Sequence, residues 1–164
     1  LHLAGDFLDL QAMFLDHVDF VVQTMSPATI ARVSAGELRA LAQARPNIGA
    51  ALWRDALIDA SIAREWIVNI GRRGAMTRIA HLLCEFAARR DAAGFGPPER
   101  FDLPMTQEQI GDATGLTSVH VNRKLHDLED MGVIARDRRN LHIRDWTKLT
   151  RIGDFDAAYL HQAA

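Results

Sequence analysis

The chain of 164 residues has one cysteine, Cys84, and one tyrosine, and no run of eighteen apolar residues. A single cysteine excludes an intrachain disulfide and any cluster of thiolate ligands, so iron–sulfur chemistry within this chain is ruled out. The missing apolar run excludes a hydrophobic membrane-spanning helix, and no basic-then-apolar leader opens the chain. Hydrophobic residues at 48%, charged residues at 24% and a net charge of −2 are ordinary for a globular protein, which removes the collagen-like and disordered classes. A reducing, cytoplasmic setting is expected from the cysteine content. Catalytic signatures are missing too. No Gly-x-Ser-x-Gly, His-Glu-x-x-His or phosphate-cradling glycine loop occurs, and the helical carboxylate pairs Asp59/Glu65 and Asp127/Asp130 read as solvated faces rather than acid–base pairs. No enzymatic activity and no cofactor are expected.

Positive charge is absent from one end and concentrated at the other. Residues 1–31 contain Asp6, Asp9, Asp16 and Asp19 but no Lys or Arg. Residues 136–151 hold Arg136, Arg138, Arg139, Arg144, Lys148 and Arg151 against only Asp137 and Asp145. That asymmetry points to an anionic partner at the C-terminal end. The chain also starts at Leu1 without Met, within what reads as a strand, and a longer parent protein is expected.

Residues Leu1 to about Val33 read as strands and turns, from the Gly5-Asp6 turn signal and the Phe20-Val21-Val22 run. Ser34 and Glu37 have capping-box spacing and predict a short helix through Ala44. Pro46 suits the first turn of a longer helix, from Asn47 to about Ile70. On it Ile48, Leu52, Ile58, Ile62, Trp66 and Ile70 mark a broad stripe, with Leu57 and Ile67 off it. More than one face should be covered, so a second copy of the helix is the natural partner and the first five of the stripe are the expected dimerisation residues. Gly71 and Gly74 bracket a break and are the candidate hinge. A third helix is predicted from Ala75 to about Arg90. The expected divisions are therefore residues 1–46, 47–73 and 74–164.

The stretch from Leu103 to Arg144 is the most informative. Thr106 and Gln109 form another capping box, Gly115 permits a sharp turn, and Thr117 caps a helix reaching about Asp130. Val121, Leu125 and Leu128 give that helix an inner face, so the pair reads as a helix-turn-helix. Its outer face carries Ser118, Val119, Asn122 and Arg123, groups suited to base edges in a major groove. The runs Val133–Arg136 and Leu141–Arg144 then flank a basic tip with Arg138 and Arg139. This is a β-hairpin wing able to lay cations along phosphates. The competing reading is an interaction module that pairs through its long helix and never binds DNA.

The segments Phe101-Asp102-Leu103-Pro104-Met105-Thr106-Gln107-Glu108-Gln109-Ile110 and Gly115-Leu116-Thr117-Ser118-Val119-His120-Val121-Asn122-Arg123 resemble the winged helix-turn-helix of the Crp/Fnr family, the regulators related to the cyclic-AMP receptor protein and the fumarate-nitrate regulator. Gly5-Asp6-Phe7 is similar to a turn in that family's effector β-roll, and only the C-terminal part of such a roll is present. The resemblance implies an α+β fold with a partial effector β-roll, a long dimerisation helix and a C-terminal winged helix-turn-helix. It further implies a homodimer on a pseudo-palindromic double-stranded DNA operator, with RNA polymerase as a partner and a small-molecule effector sensed in the roll. By the same resemblance Arg123 is the guanine-reading arginine, Thr106 and Thr117 lie near phosphates, and Ser118 and Val119 occupy the other base-reading positions. Glu108 matches a phosphate-proximal position but is acidic, and is set aside. Val119 departs from the cyclic-AMP receptor's glutamate, so it can meet a thymine methyl and cannot accept from cytosine. The stretch Asp16-His17-Val18-Asp19-Phe20 carries no arginine where a cyclic phosphate would need one, so cyclic AMP in its usual mode is not expected. His17 with Asp16 and Asp19 falls short of a metal site, and haem through His2 or His17 is not expected either.

Overall fold

The computed structural model describes residues 1–17 and 19–162. Val18, inside the arginine-free stretch noted above, and the last two residues of the C-terminal division lie outside the described residues. The order is a 3-10 turn (Leu10–Met13), helices α1 (Ala35–Ala44), α2 (Pro46–Arg72) and α3 (Ala75–Ala92), strand β1 (Arg100–Asp102), helices α4 (Gln107–Thr114) and α5 (Ser118–Asp130), strands β2 (Ile134–Asp137) and β3 (Asn140–Ile143), helix α6 (Trp146–Gly153) and a last 3-10 turn (Ala157–Leu160). The α+β class, the long helix and the C-terminal winged helix-turn-helix are as expected.

Helix α3 is the hub. Every residue from Ile79 to Ala87 is buried, so it has no solvent face; α6, α5, α4 and α2 all pack on it. One core joins its Ile79, Leu82, Leu83 and Phe86 to Ile110, Val121, Leu125, Leu128, Ile134, Leu141, Ile143 and Leu149. Phe86 meets Phe101 edge-on at 5.4 Å between ring centres, a favoured aromatic arrangement. The antiparallel sheet has the order β1-β3-β2, with Phe101 opposite Leu141 and Ile134 opposite Ile143. These residues share the face turned to the core, as the two-residue period of a strand requires. The wing expected from sequence is thus present with a third strand, β1, that was not predicted.

The N-terminal part is built differently. The strands predicted for residues 1–33 do not form; the described residues there are irregular apart from the 3-10 turn. A strand needs a neighbour to satisfy its backbone, and no strand among the described residues lies beside this segment. Its apolar side chains gain little cover: Phe14, Leu15, Val21, Ile30 and Val33 are exposed. A small second cluster of Leu10, Met13 and Leu52, with Leu38 and Ile48 against it, holds the 3-10 turn to α1 and α2.

The predicted caps are formed. The Ser34 hydroxyl accepts from the Glu37 amide at 3.1 Å, and the Glu37 carboxylate takes the Ser34 amide. Helix α2 starts on Pro46 and ends at Arg72, so Gly71 lies inside it and is not a break. The chain turns at Arg73 and Gly74, both extended with negative φ. That conformation is open to any residue, so nothing in the backbone at 74 demands glycine.

Helix α2 shows two faces. Leu52 is buried under the N-terminal cluster, Ile48 packs against it, Ile58 and Ile62 lie half-buried beside Phe7 and Leu160, and the Trp66 indole N–H donates to Glu85 on α3 at 2.9 Å. The stripe expected to pair with a second copy is therefore turned toward the chain's own elements. On the opposite side Ala50, Trp53, Leu57, Ala60, Arg64, Ile67 and Gly71 recur at alternating steps of three and four residues, and all are exposed.

Candidate nucleic-acid interface

The recognition unit is assembled by local signals. Thr106 accepts from the Gln109 amide at 3.2 Å while the Gln109 side chain takes the Thr106 amide at 2.8 Å, closing the capping box that starts α4. Helix α4 ends at Gly115, where φ is +65°, a left-handed conformation that glycine adopts without a Cβ penalty. The turn is tight: a Cβ on Gly111 would sit 2.5 Å from the Leu116 carbonyl oxygen, so this glycine lets α4 touch the start of the next segment. Thr117 then caps α5, its hydroxyl accepting from the His120 amide at 3.3 Å. Val121, Leu125 and Leu128 point into the core, which fixes the rotation of α5 about its axis.

That rotation decides what faces outward. Thr117, Ser118, Val119 and Arg123 are exposed, and Asn122 is half-buried. Val119 is 79% exposed, an apolar side chain in the first turn with nothing of its own fold to cover it. Arg123 makes no side-chain hydrogen bond or ion pair among the described residues, so its fork of donors is free for an acceptor pair. Its neighbour Lys124 is engaged by Asp127, which holds that carboxyl below the usual carboxylate range through the hydrogen bond. One outward contact was missed from sequence. The Gln107 side chain donates from Nε2 to Asn122 Oδ1 at 3.0 Å, tying the first turn of α4 to α5. Its position beside the cap Thr106 was the available signal.

The wing stands beside this helix. Arg138 and Arg139 form the two-residue tip between the paired residues Asp137 and Asn140, and both are exposed. Arg138 has a φ of +55°, left-handed for a residue with a Cβ. The tip is braced where the Arg139 carbonyl accepts from the Leu103 amide at 2.9 Å. At the base Arg136 pairs with Glu129 of α5 at 2.7 Å, and this hydrogen bond holds the Glu129 carboxyl down. Arg136 is thereby a strut, while Arg138 and Arg139 are free cations. Of the eight residues expected to meet DNA, Thr106, Thr117, Ser118, Val119, Arg123, Arg138 and Arg139 are exposed, and Asn122 is half-buried with its side-chain oxygen held by Gln107.

Among the described residues no three His, Cys, Asp or Glu side chains are placed to hold a metal ion. Cys84 is buried, and burial pushes its thiol up, away from a reactive thiolate. No helix among the described residues is long and apolar enough to cross a membrane.

A helix-turn-helix with its second helix open, flanked by a braced basic hairpin, is the architecture of a winged helix-turn-helix domain. A sequence profile of the Crp-like helix-turn-helix domain matches residues 77–152. The chain is 38% identical over 112 residues to the transcriptional activator protein FnrL of Cereibacter sphaeroides, covering 65% of this chain and 45% of that protein. It is 29% identical over 134 residues to the nitrogen fixation regulation protein FixK of Azorhizobium caulinodans, covering 81% and 54%. Its structure is similar to that of FixK2 from Bradyrhizobium japonicum, with a TM-score of 0.68, 26% identity, and coverage of 76% of this chain and 61% of that one. Residues 77–152 thus match the Crp-like helix-turn-helix domain, and most of the chain is similar to regulators of the Fnr and FixK type. The chain spans about half the length of the curated relatives it matches.

Proposed function

We propose that this chain reads duplex DNA as a homodimer, each protomer placing α5 in the major groove of one half-site of a pseudo-palindromic operator. The observation that carries the reading is the free, outward Arg123 on a helix whose rotation the core fixes, with an unpaired basic tip beside it. Arg123 donates to guanine O6 and N7, and Val119 packs on a thymine methyl. Thr106 and Thr117 sit at helix starts facing phosphates, and Arg138 and Arg139 follow the backbone. Ser118 and Asn122 complete the base-facing surface. Two such helices on a two-fold axis fall in successive major grooves about 34 Å apart.

Helix α2 supplies the axis. Its exposed face carries the alternating three- and four-residue spacing of a coiled-coil seam, with Trp53, Leu57 and Ile67 as its large apolar groups. Pairing on that side leaves Ile48, Leu52, Ile58, Ile62 and Trp66 in their contacts within the chain. A cytoplasmic protein, a small-molecule effector acting on the N-terminal part and a productive contact with RNA polymerase follow from the same family reading, with the turn at 73–74 as the hinge.

The test is selection of duplexes from a random pool at physiological salt with competitor DNA. A two-fold symmetric motif with half-sites one helical turn apart is expected. Arg123→Ala should then relax preference at one base pair in each half-site, by about 1–3 kcal/mol. An α2-paired dimer that selects no motif would favour the interaction-module reading instead.

A further inference from the structure

After α6 the chain does not leave the domain. Asp154 caps the helix in a left-handed conformation, and residues 154–162 double back across α3 to lie along α2. Three attachments hold this segment to α2 and to Arg73, the residue that follows it. At the hinge end, Arg73 donates to the Asp154 carbonyl at 3.0 Å and pairs with its carboxylate at 2.9 Å, while also pairing with Glu65. In the middle, Leu160 is buried where Ile58 and Ile62 line the same cleft. At the far end, Arg54 donates to the His161 carbonyl. Arg54 and Arg73 are nineteen positions apart, about 28 Å along a helix.

Tyr159 is the centre of the fastening. Its hydroxyl donates to Glu85 Oε2 at 2.7 Å and lies 3.0 Å from Nε2 of the fully buried His81, on whose ring it stacks. The same Glu85 oxygen receives the Trp66 indole N–H from α2. One carboxylate oxygen on α3 therefore ties the returning segment to the long helix. Covalently, α2 and the DNA-binding part are joined only through Arg73 and Gly74.

We propose that residues 154–162 are a strap that sets the angle between α2 and the DNA-binding domain, with Tyr159 as its positioning residue, and that the strap thereby determines which half-site spacing the dimer accepts. This rests on the homodimeric DNA-reading function proposed above. In a dimer with its axis along α2, a change in that angle moves both recognition helices. One base pair added between half-sites shifts them by about 3.4 Å and about a tenth of a turn. A strapped dimer resists that shift and an unstrapped one follows it.

The experiment compares the selected operator with versions carrying one base pair more or less between half-sites, alongside a single half-site duplex. Wild type should prefer its own spacing by about tenfold or more, within the usual range for specific over altered sites. Tyr159→Phe, which keeps the ring but loses the hydroxyl, and Arg73→Ala should narrow that preference to about threefold and leave half-site affinity unchanged. Tyr159→Ala should narrow it further, and circular dichroism would report whether that variant is folded. If Tyr159→Phe and Arg73→Ala discriminate spacing as sharply as wild type, the strap proposal is overturned. A wild-type protein that selects no symmetric motif would overturn the dimeric reading itself, a separate outcome seen before any variant is made.

Discussion

Residues 75–160 and residues 1–45 of the same chain use apolar side chains in opposite ways. In the first region they close around α3 until nine successive residues have no solvent face. In the second, Leu15, Val21, Ile30 and Val33 stay open, Phe14 stacks on Trp53 yet remains exposed, and among the described residues Leu10 and Met13 are the buried apolar ones, with Leu3 and Met25 resting on the edge of the main core. Apolar content does not explain this, since residues 1–45 have the higher apolar fraction; the difference is whether the neighbours that complete a core are within reach of the chain. The DNA-binding part carries its own, since α3, α6 and the sheet come from one continuous stretch. The N-terminal part has hydrophobic residues of strand type and no strand to pair with among the described residues.

The largest expected effect tests that contrast directly. Leu125 is 2% exposed in the main core and Leu52 is 8% exposed in the small cluster. Leu125→Ala should cost about 3–5 kcal/mol, the upper part of the range for deeply enclosed leucines. Leu52→Ala should fall near about 2 kcal/mol or less, because the few loosely held groups around it can close the gap. Chemical denaturation of both variants measures the difference. Equal costs would mean that the N-terminal cluster is as tightly enclosed as the core.

A second contrast concerns pH. His81 is fully buried in the domain; burial first, and then the Arg73 guanidinium, hold its pKa below the ordinary histidine value. Its Nδ1–H donates to the Gly153 carbonyl, an acceptor only, so the neutral tautomer is defined. The folded state therefore resists protonation more than the unfolded chain does. Stability from this group is complete above about pH 6.5 and declines as pH falls below it. His2 in the N-terminal part is shifted the same way by partial desolvation, but its side chain remains more than a third exposed, so it should carry little stability. Unfolding measured between pH 7.5 and 5.5 should show a loss that His81→Gln flattens and His2→Gln leaves largely in place.

What sequence reading recovered follows the same division. Caps at Ser34, Thr106 and Thr117, the left-handed Gly115 and the hairpin around Arg138-Arg139 were all legible, because each is decided by residues within a few positions. Strand β1 was missed because three residues gain strand geometry only through pairing with β3. Helix α6 was missed because Trp146 to Gly153 is short and its signal is one face of Leu149, Ile152 and Trp146 between charges. The orientation of α2 was misread for a related reason. Two apolar stripes are present on that helix, and periodicity cannot say which one the chain itself covers. At the interface, side-chain identity on α5 was readable, whereas the Gln107–Asn122 contact and the strap from 154 to 162 depend on tertiary placement.

The caps give a smaller and sharper version of the first comparison. Ser34 and Thr106 close the same capping box, one on the sparsely packed α1, which has no buried residue, and one on α4 in the main core. Replacing either by Ala removes one hydrogen bond to an amide, about 1 kcal/mol in each helix. The consequences differ in reach. Thr106→Ala should lower the global unfolding free energy, since α4 unfolds only with the core, whereas Ser34→Ala should raise amide exchange locally in residues 35–44 with little global effect.

The smallest effect on stability is expected at the wing, where the arginines differ in what the fold asks of them. Arg136 is paired with Glu129 and joins the wing to α5, whereas Arg138 and Arg139 are exposed with no partner among the described residues. Replacing both tip residues by Ala should change unfolding by less than about 0.5 kcal/mol, as for other free surface positions. Their effect should appear only with DNA. Removing one cation from a phosphate lowers the slope of log K against log salt by about 0.9, so the double variant should lose up to about 1.8 per protomer. The weakening should be similar on every sequence, because phosphates carry no base identity. Arg136→Ala should do the reverse, costing fold stability while shifting the salt slope little. A double tip variant with an unchanged salt slope would move the phosphate-binding cations off the wing and leave recognition to α5 alone.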